Sequence, residues 1–292
     1  MPALSKSRST AYLFLLLNTV LWGIASPIIK YSLNFTTPSL FLLYRYIIAT
    51  LVFFPFFLLH RSRSPQPMNL KHLLILALLG TPLTLLPLFY GLSATTSIEA
   101  SLLVSSSPIF TVIGGILYLN EKLTRKEWRG ILIAVIGTLL LTLEPVFSNH
   151  GGLSLTSMKG NLLIITSNII WSAFLIFSKK DHVDPISLTF VSFVVSIPFF
   201  LLTTAFEHTG LILNPQALTG IIYMAIFGSI IAFWAYQEGQ KRIEASEAAI
   251  FSYLQPAFAI PLSIVWLKEP FSPLAMIATA IIVSGVFLSE KR

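Results

Sequence analysis

Asn18 and Trp22 stand four residues apart in a long apolar run, and Asn168 and Trp171 stand three apart in another. On a helix either spacing puts both side chains on one face. An amide donates and accepts hydrogen bonds, and an indole adds flat apolar area with one N–H donor. Such faces suit reversible binding of a small amphipathic molecule, not bond making. The plainer reading is that each amide bonds across helices, worth about 1 kcal/mol. The repeated Asn–Trp pairing favours binding. Trp234 and Gln237 share a face of a third run. Ser101, Ser105 and Pro108 form a stripe, Tyr253 and Gln255 sit beside Pro256, and Tyr90 closes a run of its own. Aromatic walls with a few amides and hydroxyls make a pocket for small amphipathic molecules. The substrate-binding set read from these patterns is Asn18, Trp22, Tyr90, Ser101, Ser105, Asn168, Trp171, Trp234, Gln237, Tyr253 and Gln255. For Tyr90 and Trp234 an interfacial aromatic belt is the competing reading.

Three residues are read as structural or hinge elements. Pro108 and Pro256 each remove a helix hydrogen bond in mid-run, which allows either a simple kink or a mechanical hinge. Their matching placement favours the hinge. Arg45 lies seven residues beyond Pro38, about 10 Å into its run at 1.5 Å per residue. A charge at that depth costs at least a few kcal/mol unless paired. It either binds a substrate carboxylate or pairs with nearby carbonyls, Glu144 or Glu99. The structural pairing is the reading adopted.

Several chemistries find no support. The chain has no cysteine, which removes thiolate metal sites, disulfides and cysteine nucleophiles. His60, His72, His150, His182 and His208 are scattered over loops and run ends and form no metal or acid–base constellation. No G-x-x-x-x-G-K-[ST] segment offers an ATP cradle. The sequence therefore calls for no catalysis, no cofactor and no metal.

The runs that carry these residues identify the class. Of 292 residues, 55% are hydrophobic and 11% charged, with a mean hydropathy of +0.81. A soluble domain carries about 25% charged residues. So few charges cannot cover a water-exposed surface. Runs long enough to cross about 30 Å of hydrocarbon lie near 11–32, 38–59, 72–92, 98–119, 129–147, 160–178, 186–206, 217–237, 246–267 and 272–289. Unpaired backbone is intolerable in lipid, so each should be helical. With the N-terminus inside, 15 of the 19 Lys and Arg residues fall on the inner side, against Lys30, Lys159 and Lys268 outside and Arg45 within a run. The positive-inside bias predicts both termini cytoplasmic in a multi-pass protein of the plasma membrane, here a bacterial inner membrane. The net charge of +7 is spread over loops as a topology signal and predicts no nucleic-acid partner.

The two halves repeat. Gly80, Gly91, Glu99, Ala100, Pro108, Glu121 and Gly137 match Gly228, Gly239, Glu247, Ala248, Pro256, Glu269 and Gly285 at an offset of 148. Trp22 and Trp171 match at 149, and Pro38 and Pro185 at 147. Five runs per half make the second half enter the membrane upside down. Inverted repeats of this kind mark secondary transporters, with a site near the midplane. The boundary is placed between residues 152 and 153. Gly130, Ala134 and Gly137, with Ala278 and Gly285, predict close packing of the fifth and tenth runs.

The segments "LNTVLWGIASPIIK", "PSLFLLYRYIIA", "EASLLVSSSPIFTVIGGILYLNEKLTRKEWRGILIAVIGTLLL" and "EAAIFSYLQPAFAIPLSIVWLKEPFSPLAMIATAIIVSGVFL" resemble EamA-type members of the drug/metabolite transporter superfamily. The resemblance covers nearly the whole chain. It implies an all-α integral membrane bundle of ten transmembrane helices, arranged as two inverted five-helix repeats. A central cavity would be lined mainly by spans 1, 3, 4, 6, 8 and 9 and would work by alternating access. The second half departs from the pattern in reading "LKEPFS", and span 7 has no arginine matching Arg45. Small multidrug-resistance relatives place a lone carboxylate at mid-depth in span 1. Here Glu99, Glu144, Glu238 and Glu247 sit near span ends, which argues against proton-coupled exchange of lipophilic cations and leaves Glu99 as a candidate proton site. The expected function is secondary export of amino acids or related amphipathic metabolites by a monomer, with a small-molecule substrate and membrane lipids as partners. The alternatives are an importer of a nucleotide-like or cationic metabolite, and a membrane enzyme or scaffold.

Overall fold

The computed structural model describes residues 2–63, 70–120, 124–142, 155–180, 183–208 and 210–290. These residues form ten helical rods. They are α1 (Pro2–Gly23 continued by Ala25–Ser32), α2 (Pro38–Arg63), α3 (Leu70–Gly80 and Pro82–Ala94), α4 (Ser97–Val104 and Ser107–Leu119) and α5 (Arg125–Thr142). The second half supplies α6 (Leu155–Lys180), α7 (Pro185–Phe206), α8 (Pro215–Gln240), α9 (Ala245–Ile250 running on to Leu267) and α10 (Pro273–Glu290). Eight are long and apolar enough to span a membrane, while α5 and α10 carry shorter apolar stretches, Trp128–Leu140 and Pro273–Gly285. Leu13, Leu51, Leu117, Val265 and Phe206 stand exposed on the outside of the bundle, as a protein dissolved in lipid requires.

Five helices per half put the start of α1 and the end of α10 at the same end of the bundle, called here the termini end. The inverted repeat is visible as contacts that recur at offsets of 147 to 149. A Cβ on Gly137 would stand 2.9 Å from Ala278 O and 2.7 Å from Ile282 Cγ1. One on Gly285 would stand 2.6 Å from Gly130 O and 2.7 Å from Ala134 N. Only glycine permits that approach, so α5 and α10 cross backbone to backbone, as their small residues predicted. Likewise Gly91 presses on Gly160 and Ile164 of α6, and Gly239 presses on Ala11 and Leu15 of α1.

The rods are less uniform than apolar runs suggested. α1 breaks at Ile24, α3 at Thr81 before Pro82, and α4 at Ser105–Ser106 before Pro108. α9 passes through a 3₁₀ turn, Phe251–Leu254, before Pro256. α8 widens to a π-helical stretch over Met224–Ile231. The breaks in α4 and α9 are equivalent under the repeat. The break at Thr81 is matched by the widened turn around Ser229. Prolines and wide turns free carbonyls, which in lipid must find donors. Those donors are the intramembrane polar side chains.

Candidate functional site

Asn18 Nδ2 donates to Ala232 O at 2.9 Å, and Trp22 Nε1 donates to Gly228 O at 2.9 Å, both in or just beyond the widened turn of α8. Ser167 Oγ donates to Thr84 O at 2.8 Å, the equivalent of the Asn18 bond at the other side of the repeat. Thr19 Oγ1 donates to Phe251 O at 3.1 Å, and Asn168 Nδ2 donates to Leu103 O at 2.7 Å and to Ser106 Oγ at 3.2 Å. These two are again equivalent, on the 3₁₀ turn of α9 and the break of α4. Asn18 therefore corresponds to Ser167, and Asn168 to Thr19, one step from the Asn18–Asn168 pairing that spacing suggested. All four side chains tie the unbroken stretches of α1 and α6 to interrupted helices.

Between these ties lies a cavity of about 110 Å³, open at its mouth. Of the candidate binding residues, Trp22, Asn168, Trp171 and Gln255 line it. The two tryptophans, equivalent under the repeat, meet edge to face at 5.5 Å between centroids. The wall also includes residues that spacing did not single out, among them Thr84, Phe89, Ser107, Ser167, Met224 and Phe233. Ser107 and Gln255 are equivalent positions, as are Leu85 and Phe233. Carrying the candidates Gln255 and Asn18 across the repeat at offsets of 148 and 149 leads to Ser107 and Ser167.

The other candidates lie off this wall. Asn18 is buried behind it. The hydroxyls of Ser101 and Ser105 fold back onto Ile98 O and Leu102 O of their own helix. Trp234 packs edge-on against Phe14 at 5.3 Å, and Tyr253 is half-buried on α9. Tyr90 bonds to Glu207 and, at 3.0 Å, to Ser39 at the end away from the termini. Gln237 lines a separate small pocket at the termini end with Lys179, Gln240 and Lys241. Pro108 and Pro256 each open the second segment of an interrupted helix.

Arg45 differs from its expected pairing. It is 4% exposed and lines the cavity. Its Nε donates to Ser229 Oγ at 2.7 Å, and its guanidinium carbon lies 5.1 Å from the Tyr46 ring centre and 5.8 Å from that of Phe89. Glu99 instead accepts from Thr95 at 2.6 Å and Asn161 at 3.1 Å, and Glu144 lies outside the described residues. α2 thus joins the helices that line the cavity, a wall the family resemblance had left to spans 1, 3, 4, 6, 8 and 9. The matching contact of the other half uses no cation: Thr81 Oγ1 donates to Ser192 O at 3.2 Å.

Toward the termini end the cavity is sealed. Trp22 stacks on Tyr236 at 5.8 Å, Trp171 packs against Phe174 at 5.0 Å, and Phe174 stacks on Phe233 at 5.8 Å. Below them Gln240 Nε2 donates to Leu175 O at 2.8 Å, binding α8 to α6. Lys179 Nζ caps the end of α8 through Gln240 O at 2.7 Å and Ile243 O at 2.5 Å. Its equivalent, Lys30, caps the end of α3 through Leu92 O at 3.0 Å, Ser93 O at 3.1 Å and Thr95 O at 2.5 Å. A cation at a helix C-terminus meets the orphan carbonyls there.

The EamA-like transporter family matches residues 9–143 and again 158–290. The uncharacterized transporter YetK of Bacillus subtilis is 31% identical over 226 residues, covering 74% of this chain and 67% of that protein. A Salmonella typhimurium protein named "Probable amino-acid metabolite efflux pump" is 25% identical, covering 97% of this chain and 95% of its own. A crystal structure at 21% identity superposes with a TM-score of 0.73 over 97% of both chains, a likeness of fold.

Proposed function

Because the chain belongs to the EamA-like transporter family, we propose that it is a secondary carrier working by alternating access, exporting amino acids or related amphipathic metabolites. One observation carries this reading. The residues that seal the termini end, Phe174, Leu175, Phe233, Tyr236 and Gln240, have as equivalents Ala25, Ser26, Leu85, Leu88 and Leu92, and all five of these line the open cavity. A repeat that is closed at one end and open at the equivalent place on the other has the asymmetry that a rocking mechanism exchanges. The amino-acid assignment draws on the name of the Salmonella relative and on a wall that mixes aromatic surface with hydroxyls and amides.

On this reading the termini end is cytoplasmic, the membrane is a bacterial inner membrane, each half of roughly 1–152 and 153–292 is one repeat, and a monomer is the working unit. The decisive experiment is counterflow in proteoliposomes loaded with a panel of unlabelled amino acids and organic acids. A labelled compound should accumulate against its own gradient only when a substrate is inside. Vesicles that accumulate no compound from a broad panel, with the protein shown to be folded and inserted, would overturn the carrier assignment.

A further inference from the structure

Arg45 is the single charged side chain on the cavity wall among the described residues. It is 4% exposed, and its only hydrogen bond there is the one from Nε to Ser229. The terminal nitrogens, whose planar fork grips a carboxylate through two parallel bonds, have no protein acceptor among the described residues. The faces of Tyr46 and Phe89 ease the burial of the charge but accept no such bonds. Packing alone does not call for this cation, because the equivalent α7–α3 contact is made by Ser192 and Thr81 with neutral groups. The wall carries no Asp or Glu that could receive an ammonium group.

We infer that Arg45 is the anchor for a carboxylate on the substrate, so that the cavity selects organic monoanions with an apolar body and takes amino acids through their carboxylate. This rests on the carrier reading and names its substrate class. The guanidinium fork holds the carboxylate. Trp22, Trp171, Phe89 and Phe233 form the apolar surface against which the rest of the molecule lies. The amine of an amino acid contributes little, since no acid faces it.

The test is equilibrium binding of labelled 3-phenylpropionate to the intact protein in phosphatidylcholine vesicles, with competition by phenylalanine, 3-phenylpropionamide and phenethylamine. These probes share one ring and differ in charge. The acid should bind at least as tightly as phenylalanine, and both should bind about tenfold or more tighter than the amide and the amine. Arg45→Gln should erase that preference, and Arg45→Lys should keep part of it, as a point charge without the fork. If Arg45→Gln does not fold, the wild-type series alone decides. Equal affinity for acid, amide and amine, or no binding of the acid, would overturn the inference. So would displacement of the acid by added phosphatidylglycerol, which would assign the site to a lipid headgroup. Counterflow in the same vesicles separates the two claims. Charge-selective binding without passage sinks the carrier reading and leaves the anion site. Passage without charge preference does the reverse.

Discussion

At the termini end, α6 and α8 are joined by four aromatic rings and a side-chain bond to a backbone carbonyl; at the opposite end, α1 and α3 present an alanine, a serine and three leucines to open space. These are equivalent places in a repeated structure, yet one is shut and the other is a cavity. The difference is chemical as well as conformational. Phe174, Phe233 and Tyr236 fill volume that Ala25, Leu85 and Leu88 cannot. With roughly 25 cal/mol gained per Å² of apolar surface buried, the aromatic end gains more by closing. What the two ends share is the scaffold: the lysine caps, the α5–α10 crossing and the four polar ties recur on both sides.

If the scaffold is symmetric and the gates are not, scaffold substitutions should come in matched pairs. The largest effect is expected for Gly137→Leu and Gly285→Leu, because a side chain there must displace opposing backbone within 3 Å. Each should cost about 3 kcal/mol or more, read as a similar fall in thermal stability in detergent. A large fall for one and none for the other would break the symmetry of the crossing.

Gate substitutions should be unequal. Tyr236→Ala with Phe174→Ala removes the seal and should alter counterflow rates about tenfold, while enlarging Ala25 to Phe should slow entry from the open end and spare stability less. Equal outcomes for Tyr236→Ala and Leu88→Ala would show that the aromatic end is ordinary packing.

The polar ties test the scaffold more finely. Asn168→Ala leaves the carbonyl of Leu103 without its donor, and Thr19→Val does the same for Phe251. Each should cost about 1–2 kcal/mol, measured as a shift in unfolding. If Asn168→Ala instead leaves stability unchanged and weakens substrate affinity severalfold, its amide serves the ligand and not the helix break. The smallest effects, about 1 kcal/mol each, belong to Lys30→Met and Lys179→Met, which should match.

Much of this architecture was legible in the sequence. Ten apolar runs and the 148-residue offset specify the bundle, and Gly137 with Gly285 specify the α5–α10 contact. The site was read less completely for a physical reason. Spacing tells which side chains share a face, but not whether a freed carbonyl on a neighbour claims them, as Ala232 and Leu103 claim Asn18 and Asn168. The hydroxyls of Ser101 and Ser105 were lost to the site because serine in an apolar helix bonds back to its own turn. The partner of Arg45, Ser229, lies in a different half and at a widened turn, which no local pattern announces. Lys30 and Lys179 match at an offset of 149, and that signal was present to be read.

The most direct test uses the absence of native cysteine, which makes an introduced thiol the only one in the chain. Leu88→Cys and Tyr236→Cys occupy equivalent positions at the open and sealed ends. A membrane-impermeant maleimide should label Leu88→Cys quickly from the side opposite the termini and leave Tyr236→Cys protected from both sides when no substrate is present. Rapid labelling of Tyr236→Cys from the termini side, with Leu88→Cys protected, would contradict the account.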